Sequence, residues 1–318
     1  MNANTVNTVR GLRQSSTLGR VLPHEHIFID MMSVTGIRAQ RLEGLERMRF
    51  ELSRLTSNLP CTVVDVTPIG VGRNPLQLKA ISEDLDINII TSTGFYRPRW
   101  YPEIVDKSSP EVLAQVFIDE IVQGIDGTGI KAGIIGELGT EKFWVNPAEE
   151  RVLIAAAFAQ LDTGLTISLH SYGSEVGVQQ LRILKQNGVD LRRVIVGHCD
   201  TYPHSDAEIS YFRSLAESGC WLQFDTIRTK DNDPWIMEQR ASWVKKLIDA
   251  GHGHQVLLSH DICLIDHLYT FGGEGYRTLW DNFPAYLFKA GVTPAEVETL
   301  FSTNPQQSLV GAPIPWST

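Results

Sequence analysis

The chain lacks the features that mark several protein classes. Its 318 residues contain no run of eighteen apolar residues, so no membrane-crossing helix is expected. Positive charge is in short supply: 28 Lys and Arg stand against 37 Asp and Glu, a net charge of −9. An acidic surface argues against nucleic acid or a membrane as the main partner and leaves a small-molecule substrate. Cysteine is scarce too. Cys61, Cys199, Cys220 and Cys263 include no Cys-x-x-Cys pair. They read as buried or free thiols of a reducing compartment, and cytoplasm is the expected location. Residues 1–18 form a polar N-terminal segment with Arg10 and Arg13 among Asn, Ser and Thr, without the apolar core of a secretory signal. No Gly-x-Gly-x-x-Gly follows an early strand, which weakens an open dinucleotide-binding sheet. No Gly-x-Ser-x-Gly turn is present either, which weakens a serine hydrolase. Linkers, repeats and low-complexity tracts are absent, so residues 1–318 read as one domain.

What the chain does have is alternation. Eight short apolar, β-branched runs recur: Arg20–Leu22 leading into His24, Thr62–Val66, Asn88–Thr93, Ala132–Leu138, Leu165–His170, Val194–His198, Trp221–Phe224 and Gln255–Ser259. Stretches of helical periodicity lie between them, such as Leu45–Leu55, Val112–Ile125, Glu149–Leu161 and Trp235–Ile248. Ser109-Pro110, Asn146-Pro147 and Asp233-Pro234 each put a capping residue before a first-turn proline. Thr293-Pro294-Ala295-Glu296 has the spacing of a capping box and opens an extra C-terminal helix. Strand–helix alternation implies parallel strands, and eight units in about 300 residues imply a (β/α)8 TIM barrel.

Active sites of such barrels sit at the C-terminal ends of the strands. The polar residues there form a set. The first run ends in His24 and His26, the fourth in Glu137, the fifth in His170, the sixth in His198 and the eighth in Asp261. Residues i and i+2 of a strand share a side, so His24 and His26 aim at one point. Imidazoles and carboxylates suit zinc, or Mn, Co or Fe. Six donors exceed one four-coordinate ion and suit two ions ~3.5–4 Å apart, bridged by a carboxylate and a hydroxide. Other histidines read differently. His252 and His254 precede the eighth run and belong at the opposite mouth, on the surface. His260 points away from Asp261 on a strand and reads as a packing or supporting residue. His204 and His267 read as exposed loop histidines above the mouth. Ser259, His260 and Asp261 are adjacent and cannot converge as a catalytic triad.

These residues carry a resemblance. Pro23-His24-Glu25-His26, Gly133-Ile134-Ile135-Gly136-Glu137, His170, Gly197-His198-Cys199-Asp200, Ser259-His260-Asp261-Ile262 and Gly272-Gly273-Glu274-Gly275-Tyr276 follow one another in an order and spacing that is specific. On them the chain resembles the phosphotriesterase-related proteins of the amidohydrolase superfamily over almost its whole length. The resemblance implies a barrel hydrolase with a binuclear metal centre. It implies that His24, His26 and Asp261 hold the more buried ion, His170 and His198 the more exposed one, and that Glu137 bridges them. The best-known members bridge with a carbamylated lysine at the end of the fourth strand; this chain has a carboxylate there, as one branch does. Lys131 lies six residues upstream of Glu137, toward the other mouth. Asp261 is the expected catalytic proton shuttle. Tyr96 falls where family lactonases place a tyrosine near the substrate carbonyl, and Arg228 is the expected grip for a carboxylate, sulfonate or phosphate. Arg97 and Trp280 stand in neighbouring loops, and Asp65 and Asp200 sit at strand ends as supports for histidines. The expected reaction is hydrolysis of carboxylic esters or lactones. Amide hydrolysis of an N-acyl amino compound comes second and phosphotriester hydrolysis third. A non-catalytic barrel predicts broken ligands, and all six are intact. Family members are often dimers, which leaves a homodimer open.

Overall fold

A computed structural model describes residues 4–56, 60–173, 175–201, 207–228 and 233–310. Eight parallel strands run in sequence order through one sheet: Arg20–Glu25, Cys61–Asp65, Asn88–Thr93, Ile134–Gly139, Ile167–His170, Val194–Val196, Trp221–Phe224 and Val256–Leu258. Helices Leu45–Ser53, Pro75–Leu85, Pro110–Val122, Pro147–Thr163, Val176–Gln186, Ala207–Glu217 and Pro234–Asp249 separate them, so the sheet is a nearly closed (β/α)8 barrel. The eighth strand meets the first through Asp261 N–H donating to the His24 carbonyl at 3.3 Å and His26 N–H to the Ile262 carbonyl at 3.3 Å. No helix among the described residues is long and apolar enough to cross a membrane.

Local chemistry starts the helices. Asn146 and Thr293 each close a capping box with Glu149 and Glu296, satisfying N–H groups that the first helical turn leaves unpaired. Asn74, before Pro75, caps Gln77 N–H at 3.1 Å in the same manner. Ser109 and Asp233 stand at their predicted cap positions, but their side chains make no capping bond. The C-terminal helical run opens at Pro294 as expected and reaches Leu309 through a π-helical turn at Thr299–Thr303.

Strand alternation sorts the apolar residues into two cores. Val21, Val64, Ile90, Ile134, Ile195, Trp221 and Leu257 come from seven strands and pack together inside the barrel. Their neighbours Leu22, Val63, Ile89, Ile135, Val194 and Leu258 face the helices. The N-terminal polar segment is more ordered than its composition suggests. Thr5–Thr8 and Gly11–Gln14 form an antiparallel hairpin. Val6 and Leu18 join the barrel interior, and Asn7 Nδ2 donates to the Ala132 carbonyl at 3.0 Å. This hairpin covers the N-terminal end of the barrel interior.

Candidate metal centre

At the C-terminal mouth the expected donors meet around Glu137. Its Oε1 lies 3.4 Å from His26 Nε2. Its Oε2 lies 2.9 Å from His170 Nδ1, 3.4 Å from His198 Nε2 and 3.6 Å from His24 Nε2. Asp261 Oδ1 stands 3.3 Å from His26 Nε2 and 3.7 Å from His24 Nε2. Two three-residue groups have donor atoms all within 4.8 Å of one another: His24, His26 and Asp261, and His24, Glu137 and His198. His170 completes the cluster, with Nδ1 2.7 Å from His198 Nε2.

The backbone is bent to make this meeting. Counting alternately from Val21 inside the barrel, His24 and His26 would face the helices. A register shift between Leu22 and Glu25 reverses the parity and turns both inward. A second shift between Ile135 and Leu138 does the same for Glu137. There Gly136 adopts φ +110°, and a Cβ on it would lie 2.1 Å from the Ser168 carbonyl oxygen, so only glycine fits. His198 and Asp261 hold left-handed backbones, with φ of 58° and 54°. Such conformations persist in non-glycine residues where surrounding contacts over-determine them.

Those contacts come from a shell of buried polar groups. Asp225 accepts from His198 Nδ1 at 2.7 Å and from His198 N–H at 3.1 Å, and its other oxygen lies 3.1 Å from His24 Nδ1. His24 Nδ1 also lies 2.9 Å from Gln223 Nε2. Thr67 Oγ1 holds His26 Nδ1 at 2.8 Å. Fixing the Nδ1 atoms of three rings turns their Nε2 atoms toward Glu137 and Asp261. Asp200 accepts from the N–H groups of Asp225 and Thr226 and pairs with Arg240 at 2.9 Å, so it steadies Asp225 rather than a histidine. Asp65 likewise acts on backbone, accepting from Ile27 and Thr67 N–H. Glu25 sits in the barrel seam and accepts from Ser259 Oγ, His260 N–H, His260 Nδ1 and Ile262 N–H. Burial opposes its ionisation, but His260 and these donors outweigh that and hold it below the usual glutamate range. Tyr276, from the Gly-Gly-x-Gly-Tyr segment, donates its hydroxyl to the His26 carbonyl at 2.7 Å.

His24 Nε2 tests whether an ion fits. It is buried and has no hydrogen-bond partner among protein atoms. A buried polar atom in that condition is rare, and a divalent cation, which His24, Glu137 and Asp261 could hold, would satisfy it. Charge agrees. Burial resists ionisation of Glu137, yet the His170 charge and bonds from His170, His198 and His26 pull it well below the ordinary range. Asp261 is lowered against burial by the His26 bond and the His24 and His198 charges. In return His26 is raised to about 10, burial being outweighed by Asp261 and Glu137. Ionised carboxylates packed this tightly demand positive charge, which protons or metal ions supply.

The other predicted residues divide. Tyr96 is buried with its ring edge-on to His170, centres 5.1 Å apart. Arg228 reaches the mouth, where its Nη1 donates to the carbonyls of His260 and Asp261. Trp280 is partly buried against the outer core. His260 supports the seam through Glu25, and its Nε2 accepts from Leu279 N–H at 2.8 Å. His267 departs from expectation: it is buried and accepts from Cys263 N–H, because the loop folds over it tightly enough that a Cβ at Gly273 would strike its carbonyl. His252 and His254 precede the eighth strand and are half-buried rather than fully on the surface. His204 lies outside the described residues. Asp225, Gln223, Thr67 and Tyr276 went unnoticed as supports. Gln223 and Asp225 left a trace, since both continue the inward parity of Trp221 along their strand and past its end.

Comparison with known proteins places this geometry. The phosphotriesterase family model matches residues 4–309. The phosphotriesterase homology protein of Escherichia coli is 37% identical, with 91% of this chain and 97% of that protein covered. Its crystal structure, solved with phosphate in the active site, superposes with a TM-score of 0.86 over 92% of this chain and 98% of that one. An N-acetyltaurine hydrolase of Dictyostelium discoideum is 35% identical over 85% of this chain and 74% of that protein. A lactonase of Listeria monocytogenes shares the fold, with a TM-score of 0.85 at 23% identity over 97% of this chain and all of that one. Matched nearly end to end by these proteins, the chain is a hydrolase and belongs to the phosphotriesterase family.

Proposed function

We propose that the chain is a binuclear metal-dependent hydrolase of carboxylic acyl bonds whose substrate is an N-acyl amino compound. The donor cluster around Glu137, with His24 Nε2 buried and otherwise unpartnered, carries the reading. His24, His26 and Asp261 would hold one ion and His170 and His198 the other, with Glu137 between the two groups. Zinc suits the set best, with Mn, Co or Fe as alternatives. The sequence alone puts the ester or lactone bond first. The relative that acts on N-acetyltaurine, at 35% identity, moves the amide ahead, since the lactonase likeness speaks to the fold alone. The ester or lactone remains the second reading, favoured by the placement of Tyr96 against His170.

Two divalent ions bound here supply hydroxide at neutral pH and polarise the attacked carbonyl. The chain's own groups do the rest. Asp261 is the most open carboxylate of the cluster, its side chain 17% exposed against 5% for Glu137 and 0% for Asp225. It therefore takes the proton released on attack and passes it to the leaving nitrogen. Burial, followed by the Glu137 charge, raises the Tyr96 phenol well above its ordinary value, so it stays a donor for the substrate oxygen. All four cysteines are unpaired, which fits a cytoplasmic location.

The test is a panel of N-acyl amino acids, lactones, aryl esters and phosphotriesters on protein stripped with chelator and reloaded with Zn, Mn or Co. Activity on an N-acyl amide that vanishes on stripping and returns on reloading supports the reading. Activity indifferent to chelation, or confined to phosphotriesters, overturns it.

A further inference from the structure

Beside the donor cluster stands an arginine that makes no ion pair with the described residues. The guanidinium carbon of Arg97 lies 5.1 Å from the Tyr96 ring centre and 5.1 Å from that of Trp100. Its Nε is buried and has no hydrogen-bond partner. Among the described residues no carboxylate approaches it within ion-pair distance. The Glu149 carboxylate acts on it only across a longer distance, because its oxygens are turned to Glu141 N–H at 2.7 Å and Asn146 N–H at 2.8 Å. The stem of Arg97 crosses Gly139, two residues past Glu137. A Cβ at Gly139 would lie 2.4 Å from Arg97 Cγ, so the glycine makes room for it. Tyr96, under the guanidinium, packs directly on His170.

The other mouth arginines are engaged. Arg228 donates to the His260 and Asp261 carbonyls, and Arg240 pairs with Asp200. Aromatic faces attract a cation but do not neutralise it. A partly desolvated guanidinium beside the donor cluster, its Nε left without a partner, therefore favours an incoming anion, and its planar fork matches carboxylate and sulfonate oxygens equally.

We propose that Arg97, braced by Tyr96 and Trp100, is an anion-binding subsite that holds a carboxylate or sulfonate on the part of the substrate remote from the scissile acyl bond. The proposal rests on the acyl-hydrolase reading and assigns to Arg97 the grip that the sequence pattern assigned to Arg228. The experiment uses the metal-loaded full chain with four probes: N-acetyltaurine, N-acetyl-β-alanine, the neutral N-acetylethanolamine, and phenyl acetate. Calorimetric binding and steady-state hydrolysis are measured for the wild type, Arg97→Gln and Arg97→Lys. The wild type should prefer both anionic amides to the neutral one. Arg97→Gln should reduce that preference about 10- to 100-fold, as loss of one charge-assisted contact does, and Arg97→Lys should restore part of it. Equal binding of anionic and neutral amides by the wild type overturns the subsite, as does a preference that survives Arg97→Gln. Phenyl acetate hydrolysis without anion preference removes the subsite and leaves the hydrolase. Anions that bind through Arg97 while none of the probes is cleaved leave the subsite and remove the acyl-hydrolase reading.

Discussion

Asp225→Asn is the substitution that bears most directly on the metal centre without touching a donor. The carboxylate is fully buried and serves two rings, one oxygen 2.7 Å from His198 Nδ1 and the other 3.1 Å from His24 Nδ1. Asparagine keeps the volume but has one acceptor where the native residue has two. The His198 N–H and Nδ1 both present donors, so the amide oxygen turns that way and the NH2 faces His24. Gln223 Nε2, which in the native protein donates to the Asp225 oxygen beside His24, must turn away, His24 Nδ1 must accept, and its proton moves to Nε2, the atom that would bind an ion. Loss of one such supporting partner typically weakens metal binding 10- to 100-fold, or about 1.4–2.7 kcal/mol. The ion held by His24 should be affected first. Graded chelator competition, read as metal content per chain, should show one ion released at about 10- to 100-fold lower chelator strength than in the wild type. Two ions retained with affinities within about twofold of the wild type would refute the tautomer argument.

Three further outcomes are expected. Asp261→Asn should lower turnover ~10²–10⁴-fold if Asp261 moves the proton, with metal content kept; undiminished turnover removes that role. Tyr276→Phe deletes the donor to the buried His26 carbonyl and should destabilise the fold by about 1–3 kcal/mol in denaturant unfolding; a change below about 0.5 kcal/mol contradicts this contact. In chelator-stripped protein, charged His26 between Glu137 and Asp261 stabilises the fold. Its pKa is raised from 6.5 to about 10, so that contribution is complete below 6.5 and is lost as pH climbs through about 10. Urea midpoints should therefore fall across that interval, and the fall should shrink when zinc is present. A stripped protein more stable at pH 10 than at 6.5 would disprove the coupling.

The sequence carried the architecture because strand and helix periods are local properties. All eight apolar runs became barrel strands, and the capping boxes at Thr293 and Asn146 formed because their partners lie three residues away. The hairpin at Thr5–Gln14 escaped because its two apolar contacts, Val6 and Val9, are hidden among polar residues, and their burial depends on the barrel floor. His267 escaped likewise, since its burial comes from a loop folded over it by Gly273.

Donor identity and order were legible at the strand ends: His24, His26, Glu137, His170, His198 and Asp261. Aim was not. Strict alternation would turn His24, His26 and Glu137 toward the helices. Two register shifts and the left-handed backbones of His198 and Asp261 bring them inside. A shift of one residue flips every following side chain, and whether it occurs depends on the neighbouring strand, as where Gly136 passes the Ser168 carbonyl. The support of the histidines by Asp225, Thr67 and Gln223, and the contrast between engaged Arg228 and unpaired Arg97, are likewise products of contact across the barrel. Sequence by itself determined which chemical groups stand at the mouth, because each ends its own strand. The tertiary structure decided which way they point, which nitrogen each ring offers and which arginine is left without an ion pair, because those depend on residues brought together only by closure of the barrel.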